Sequence, residues 1–410
     1  MGTKVSQESS CRLCGNRPLR EIFRFLPNPY GDLFETNYEA ARVLKRYPIA
    51  ISRCDDCKLL QLTHETDLDS QYIDYLYLTG VTNNLSRFYK EVAKRYIGEL
   101  SLKTSKYILD IGSNDGAFLK PFLEKGFPVL GVDPSKPASG EANKVGIKTI
   151  NEYFSSKTVS RIKEMNIEIG LISINYTLAN VPNISEFFGN IDAIASEDTY
   201  ISIITGYHPD QFLINMFDYI GHDHLSYFTV SDIDRLAQKF NFRLIDVEKL
   251  EHKGGSVRLL LARPSIQPKS SVFQILQREK WVGSENDAGI FKMLERVEIS
   301  KQQLRGVFSE YKGKFIGGIG ASISTSYFIV HYQISEYISM LFDDDPRKIG
   351  RFSPGSAIEV NDLSKLVSAE MDCVVILAWQ HTEKLLSRLE EVGFKGRVLI
   401  PLPILRIVEI

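Results

Sequence analysis

The sequence predicts an α/β protein of more than one domain, and three observations carry that expectation. Strands alternate with amphipathic helices from about residue 106, and the alternation begins afresh at about residue 314. Four of the five cysteines fall in two Cys-x-x-Cys pairs ahead of both units. The chain has 410 residues, beyond the ~250–300 at which a single core stops growing. The boundaries expected are 1–75, 76–265 and 266–410.

Composition narrows the function classes. With 43% hydrophobic and 24% charged residues, the chain is neither disordered, collagen-like nor a coiled coil. A net charge of −2 argues against a nucleic-acid partner bound through a bulk basic field. Residues 1–10 are polar and lack the apolar core of a signal peptide. The most apolar runs, 374–379 and 398–405, are far shorter than the roughly 20 residues that span a bilayer. A cytoplasmic protein with reduced thiols and no membrane insertion is expected.

In chain order, the cysteines come first. Cys11 and Cys14, and Cys54 and Cys57, are two short-range pairs. Each can offer two thiolates to adjacent corners of a tetrahedron, so together they suit a closed Cys₄ structural zinc site. Residues 47–52 read as the strand entering the second knuckle. Two unrelated pairs remain the competing reading; a redox role fits less well, since neither pair follows a βα unit.

The first α/β unit follows. Residues 106–111 (KYILDI) read as a buried strand. An amphipathic helix is expected at 117–125, strands at 129–132, 169–174, 192–195 and 243–248, and a helix at 231–240. Residues 259–262 would add an antiparallel edge strand. Residues 263–271 have linker composition, and helical periodicity returns at 272–277 and 287–311. The second unit reads as strand 314–319, a glycine-containing turn at 320–326, a helix from 327, strands 338–342 and 373–377, helix 383–391 and a last strand at 397–401.

The segment Ile108-Leu109-Asp110-Ile111-Gly112-Ser113-Asn114-Asp115-Gly116 carries the most chemistry. Glycines where a strand turns into a helix let backbone N–H groups approach a ligand. The spacing departs from the dinucleotide G-x-G-x-x-G, and the acidic Asp110 and Asp115 suit a cationic ligand better than a phosphate. Asp133 ends the next strand, where a carboxylate can take ribose hydroxyls. The combination resembles the class I S-adenosylmethionine-dependent methyltransferases; an NAD fold and a purely structural turn are the alternatives. The resemblance places the cofactor at Asp110, Gly112, Asn114, Gly116, Asp133 and Asn175.

Taken in order, further motifs narrow the resemblance. The cysteine pairs, the segment 75–80 (YLYLTG), DIGSNDG, GVDPS, His222-Asp223-His224-Leu225-Ser226-Tyr227-Phe228, Gly254-Gly255-Ser256-Val257-Arg258, Gly317-Gly318-Ile319-Gly320-Ala321, residues 348–355 and Leu377-Ala378-Trp379 together resemble the C-methyltransferases of nucleotide-linked ketosugars. The likeness runs over nearly the whole chain. It implies a small N-terminal zinc module, a central S-adenosylmethionine-binding Rossmann-like domain, and a C-terminal Rossmann-like domain that supports a nucleotide-sugar substrate.

The implied reaction methylates a ring carbon beside a keto group. Such a carbon becomes nucleophilic only when a base takes its α-proton and donors support the enolate oxygen. His224 matches the family's base and Asp223 its carboxylate; Asn180 and Tyr77 are the expected orienting donors. Two positions depart from the family: Gly221 stands where a tyrosine opens the motif, and Asn180 where a histidine is expected. These departures leave room for O- or N-methylation of a sugar precursor, or for a cofactor-binding homologue that has lost C-methylation.

Other readings are blander. The His224–Thr229 turn could serve as scaffolding, with Thr229 or Ser231 capping the next helix. His222 reads as a surface or supporting group, and His64 and His208 as surface residues. In the third unit, Asp343–Asp345 end a strand where a dinucleotide fold would hold ribose, but a domain without its own cofactor fits the resemblance better. Lys348 and Arg351 could meet a diphosphate.

Overall fold

The computed structural model describes residues 5–66, 78–81, 83–311 and 313–410. Tyr77, expected to orient substrate, lies outside the described residues.

The middle of the chain forms a seven-stranded sheet in the spatial order Arg243–Leu250, Ser256–Ala262, Tyr200–Gly206, Ile169–Asn175, Tyr107–Ile111, Val129–Val132, Thr149–Ile150. Only Ser256–Ala262 runs against its neighbours. Counted along the chain this is 3-2-1-4-5-7-6 read from the other edge, the class I methyltransferase arrangement that the glycine turn implied. Its central parallel strands are largely apolar, as strands covered on both faces are, and every residue of Ile169–Asn175 is buried.

Three details differ from expectation. Residues 192–195 are not a strand: Asp192 ends helix Ile184–Asp192 and a turn at 193–194 follows it, and Ile184, Phe187, Phe188 and Ile191 of that helix make a buried stripe of helical period. The fifth strand is Tyr200–Gly206, seated beside Ile169–Asn175. The antiparallel strand is interior, with Arg243–Leu250 outside it at the edge. The helix expected at 117–125 contracts to Lys120–Leu123, with Pro121 in its first turn, where the missing N–H leaves no intrahelical bond unmade.

The C-terminal sheet runs Val360–Asp362, Ile338–Asp343, Ile316–Ile319, Cys373–Ile376, Arg397–Ile400, Arg406–Glu409. Its first five strands are parallel, and Arg406–Glu409, unforeseen in sequence, closes the edge antiparallel. Helix Ala288–Glu310 is continuous and buries residues 290, 293, 297, 300, 304 and 308, a stripe of three- and four-residue steps.

Near the N-terminus, Leu19–Asn28, Tyr47–Cys54 and Leu60–Leu62 form an antiparallel meander. Its fourth strand, Ser226–Tyr227, is lent by the middle of the chain. Farther along, the backbones of Glu35 and Phe352 exchange hydrogen bonds of 3.1 and 2.7 Å. One apolar core accordingly joins Ile49 and Ile51 of the meander to Phe217 and Tyr227 and on to the C-terminal sheet. These contacts hold all three parts of the chain around one cleft.

His208, read as a surface residue, is buried beside Phe212, and burial drives its pKa down to about 3. Helix His208–Leu213 lies under helix Ala288–Glu310, a covering no local sequence signal announces. No helix among the described residues is long and apolar enough to cross a membrane.

Candidate active site

The four clustered cysteines meet as their spacing suggested. Sγ atoms of Cys11 and Cys57 lie 3.4 Å apart and those of Cys14 and Cys54 3.6 Å, and all four fall within 4.8 Å of one another. A tetrahedron with Zn–S bonds of about 2.3 Å has edges of roughly 3.8 Å, so the donor set fits zinc in number, type and spacing. The thiols compete for charge: a hydrogen bond from Cys57 lowers Cys11 to about 5, while burial raises Cys14 to about 11. A divalent cation removes that conflict. Cys373 is buried in the C-terminal sheet.

Two adjoining cavities open where the parallel strands of the middle sheet end, the position at which α/β sheets bind ligands. They enclose about 810 and 490 Å³, within the range of small-molecule sites. Tyr176, Asn180, Asp223, Lys253, Tyr327 and Arg351 line both.

The larger cavity contains the glycine turn. Gly112 has φ of +77°, and a Cβ there would sit 2.1 Å from Thr177 Oγ1; Gly116 has φ of +78°, with Ile147 Cδ1 2.6 Å from a Cβ. Both positions therefore demand glycine. Asp110 is buried, and its Oδ1 accepts from Ser173 Oγ at 2.6 Å and Asn175 Nδ2 at 3.2 Å. Burial nevertheless pushes its pKa up to about 7. Asp133 accepts the Asn114 N–H on Oδ2 and the Ser135 N–H on Oδ1, each at 2.8 Å; each oxygen keeps a second lone pair for a ligand. Burial raises its pKa as well. Asn114 and Asp115 accept the backbone N–H groups of Thr79 and Gly80, at 2.9 and 2.6 Å, so the end of the 75–80 motif closes over the turn.

These residues fit S-adenosylmethionine. Buried carboxylates disfavoured by burial gain most from a cationic ligand. Ser113 Oγ, Asn175 Oδ1 and Asn180 Oδ1 are also buried at this cavity with no hydrogen-bond partner among the described residues.

The smaller cavity holds His224 and a basic turn. His224 Nδ1 lies 3.5 Å from Asp223 Oδ1, and its ring packs on Tyr219 with centroids 4.1 Å apart. Burial lowers its pKa, leaving a neutral imidazole at pH 7. Thr229 caps helix Val230–Lys239 in a reciprocal box with Asp232, so the turn has a scaffold of its own. Arg347, Lys348 and Arg351 line the cavity from the C-terminal sheet. Lys348 Nζ donates to the Ala321 carbonyl at 2.9 Å and lies 3.5 Å from Asp32; Arg351 donates to the Phe34 carbonyl at 3.2 Å. Both Asp343 oxygens are engaged locally, by the N–H groups of Ala321 and Asp345 at 2.6 and 2.9 Å.

His222 is buried, not at the surface. Its Nε2 lies 3.3 Å from the Tyr47 carbonyl, which can only accept, so Nε2 carries the proton and Nδ1 accepts from the Tyr327 hydroxyl at 3.2 Å. Three residues that sequence reasoning passed over reach the cavities. They are Asp218, whose carboxylate accepts from Trp379 Nε1 at 2.9 Å; Tyr327; and Lys253. Only Lys253 stood beside a noted motif, the Gly254-Gly255 pair.

Comparison with known proteins agrees with this geometry. Residues 11–72 match a family described as "Putative zinc binding domain", residues 83–247 a "Methyltransferase domain", and residues 251–403 a "C-methyltransferase C-terminal domain". The chain is 24% identical over 407 residues to the C-methyltransferase NovU of Streptomyces niveus, covering 97% of this chain and 96% of that one. Solved structures with partial likeness include magnesium protoporphyrin IX methyltransferase (ChlM) of Synechocystis PCC 6803, at 14% identity, 43% of this chain, 79% of that one and a TM-score of 0.33. A SAM dependent methyltransferase of Archaeoglobus fulgidus matches at 14% identity, 43% of this chain, 93% of that one and a TM-score of 0.36. With the three domain families in order along it, the chain is an S-adenosylmethionine-dependent methyltransferase that is similar from end to end to a C-methyltransferase.

Proposed function

We propose that the protein methylates a ring carbon beside the keto group of a nucleotide-linked sugar, with His224 as the base. The observation that carries this is the pair of joined cavities: the glycine turn and its carboxylates at one end, Arg347, Lys348 and Arg351 at the other, and His224 with Asp223 between. Asp110, Gly112, Asn114, Gly116, Asp133 and Asn175 would hold S-adenosylmethionine. When bound, it supplies an electrophilic methyl on a sulfonium centre.

In this reading, Asp223 faces Nδ1 of His224 and leaves Nε2 for the substrate α-proton. The lowered pKa keeps that nitrogen free at neutral pH. Asn180, whose Oδ1 has no hydrogen-bond partner among the described residues, leaves an amide to orient the sugar. The cations suit a diphosphate, in keeping with a near-neutral chain that recognises one small anion through a few placed charges. We assign residues 1–75 to the zinc module, 76–265 to the cofactor domain and 266–410 to substrate support, in a cytoplasmic enzyme.

The test is turnover with ¹³C-methyl S-adenosylmethionine and a thymidine-diphosphate 4-keto-6-deoxyhexose. A carbon-bound methyl resonance in the product is expected. A resonance at the shift of an O-methyl or N-methyl group would overturn C-methylation.

A further inference from the structure

Lys253 lines both cavities, at their junction. Its backbone lies in the left-handed region with φ of 51°, and Gly254 and Gly255 follow with φ of 72° and 116°. Three successive positive φ values make a tight, costly turn, of the kind that persists where the surrounding structure holds a group in place. The turn is anchored: a Cβ on Gly254 would fall 2.1 Å from Met216 Sδ, and the Gly255 carbonyl accepts the Tyr207 N–H at 3.1 Å. The side chain extends over Tyr176, its Nζ 3.9 Å from the ring centroid. No salt bridge holds the ammonium among the described residues.

The charged and titratable groups facing it come from every side. Asp223 and His224 belong to the turn before Ser226–Tyr227, His252 to its own turn and Tyr176 to the chain just after Ile169–Asn175, while Arg351, between strands Ile338–Asp343 and Val360–Asp362, lines the same cavities. Asp223 thus stands between an imidazole and an ammonium. Lys253 keeps exposed surface, and crowding around its ammonium lowers the pKa to about 8, against the pull of Asp223; the group stays charged at neutral pH.

We infer that Lys253 is a catalytic residue: its ammonium donates to the ketosugar carbonyl oxygen and holds the enolate oxygen while His224 takes the α-proton. This rests on the ketosugar reading above. The α-C–H bond breaks and its proton goes to His224 Nε2. The electron pair becomes the enolate C=C bond as the carbonyl pair moves to oxygen, where the Lys253 N–H receives it. The enolate carbon then bonds to the methyl, the S–C bonding pair stays on sulfur, the carbonyl re-forms, and His224 releases its proton to solvent. Lys253 keeps its own proton throughout.

The experiment compares full-length wild type with Lys253→Met and Lys253→Arg. S-adenosylmethionine affinity is measured by calorimetry. Deuterium wash-in at the α-carbon and methyl transfer are then followed with the same thymidine-diphosphate ketosugar from pH 6 to 9.5. Unchanged cofactor affinity is expected, with both exchange and transfer reduced by about 100- to 1,000-fold in Lys253→Met, the usual loss of one oxyanion donor. Because the donor must be protonated, the wild-type rate should fall above pH about 8, and this limb should move to higher pH in the partly active Lys253→Arg. Exchange and transfer within twofold of wild type in Lys253→Met, or an alkaline limb unmoved in Lys253→Arg, would overturn the role. Wild-type protein that binds S-adenosylmethionine but neither exchanges nor methylates the ketosugar would overturn the ketosugar reading itself, and the role of Lys253 with it.

Discussion

The ring of Tyr327 occupies the space that a side chain at position 221 would need. A Cβ on Gly221 would lie 2.4 Å from Tyr327 Cε2, and the Tyr327 hydroxyl also accepts the His222 N–H at 3.3 Å. The tyrosine that the family resemblance led one to expect at this position has no room, because a phenol from the C-terminal part of the chain stands there already. The aromatic ring beside position 221 thus comes from the C-terminal part of the chain.

Adding that methyl should be harmful. Gly221→Ala is expected to cost about 1–3 kcal/mol, the usual range for overpacking a rigid core. Thermal denaturation measures it. In a Tyr327→Ala background the same change should cost less, since the clash is gone while the two sites remain in contact.

Zinc content follows the four thiols. Cys54→Ser should bind less than one equivalent of zinc by atomic absorption and should be more open to limited proteolysis. Cys11 and Cys54 pack into the same core as the middle sheet, so the loss should spread beyond the module. Full stoichiometric zinc in Cys54→Ser would count against the Cys₄ site.

Cofactor affinity should depend on pH through Asp110. Its folded pKa is raised from 3.8 to about 7, so without ligand its contribution to stability is complete below about pH 4 and is lost as pH rises through 7. A cationic ligand reverses the preference by favouring the carboxylate. S-adenosylmethionine should bind more tightly as pH rises from 5.5 to 7.5, by up to roughly tenfold per unit for one linked proton. Calorimetry with Asp110→Asn should show weaker binding with a flatter pH dependence.

The basic turn should act on substrate alone. Arg351→Ala is expected to raise KM for the nucleotide sugar by about tenfold or more, the loss of one charge-assisted contact. S-adenosylmethionine affinity should be unchanged. Steady-state kinetics at saturating cofactor separates the two effects.

Buried Asp218 offers a stability test. Its carboxylate accepts from Trp379 Nε1 and Gln380 Nε2 at 2.9 and 3.1 Å. Asp218→Ala strands the indole N–H and should cost about 1–3 kcal/mol, read by chemical denaturation.

What the sequence determined by itself is what short spacings encode. Cys11 and Cys14, like Cys54 and Cys57, must lie close because two residues separate them, and a Cys₄ set admits few metals. Gly112, Gly116 and Asp110 sit on one strand-to-helix turn, so their juxtaposition needed no long-range information, and the mainly apolar runs around 108 and 172 marked the parallel sheet. Where apolar residues suited either period, reading failed: Asp192 ended a helix with a turn after it, and the strand formed at Tyr200–Gly206. Tertiary structure alone decided the substrate half. Lys253 stands by Asp223 because Ser256–Ala262 inserts inside the sheet edge, Tyr327 meets Gly221 across 105 intervening residues, and a strand at Ser226–Tyr227 completes the N-terminal meander. Such contacts arise from the burial of apolar faces from distant segments in a shared core, and a lone lysine or glycine carries no local signal of which face will come to cover it.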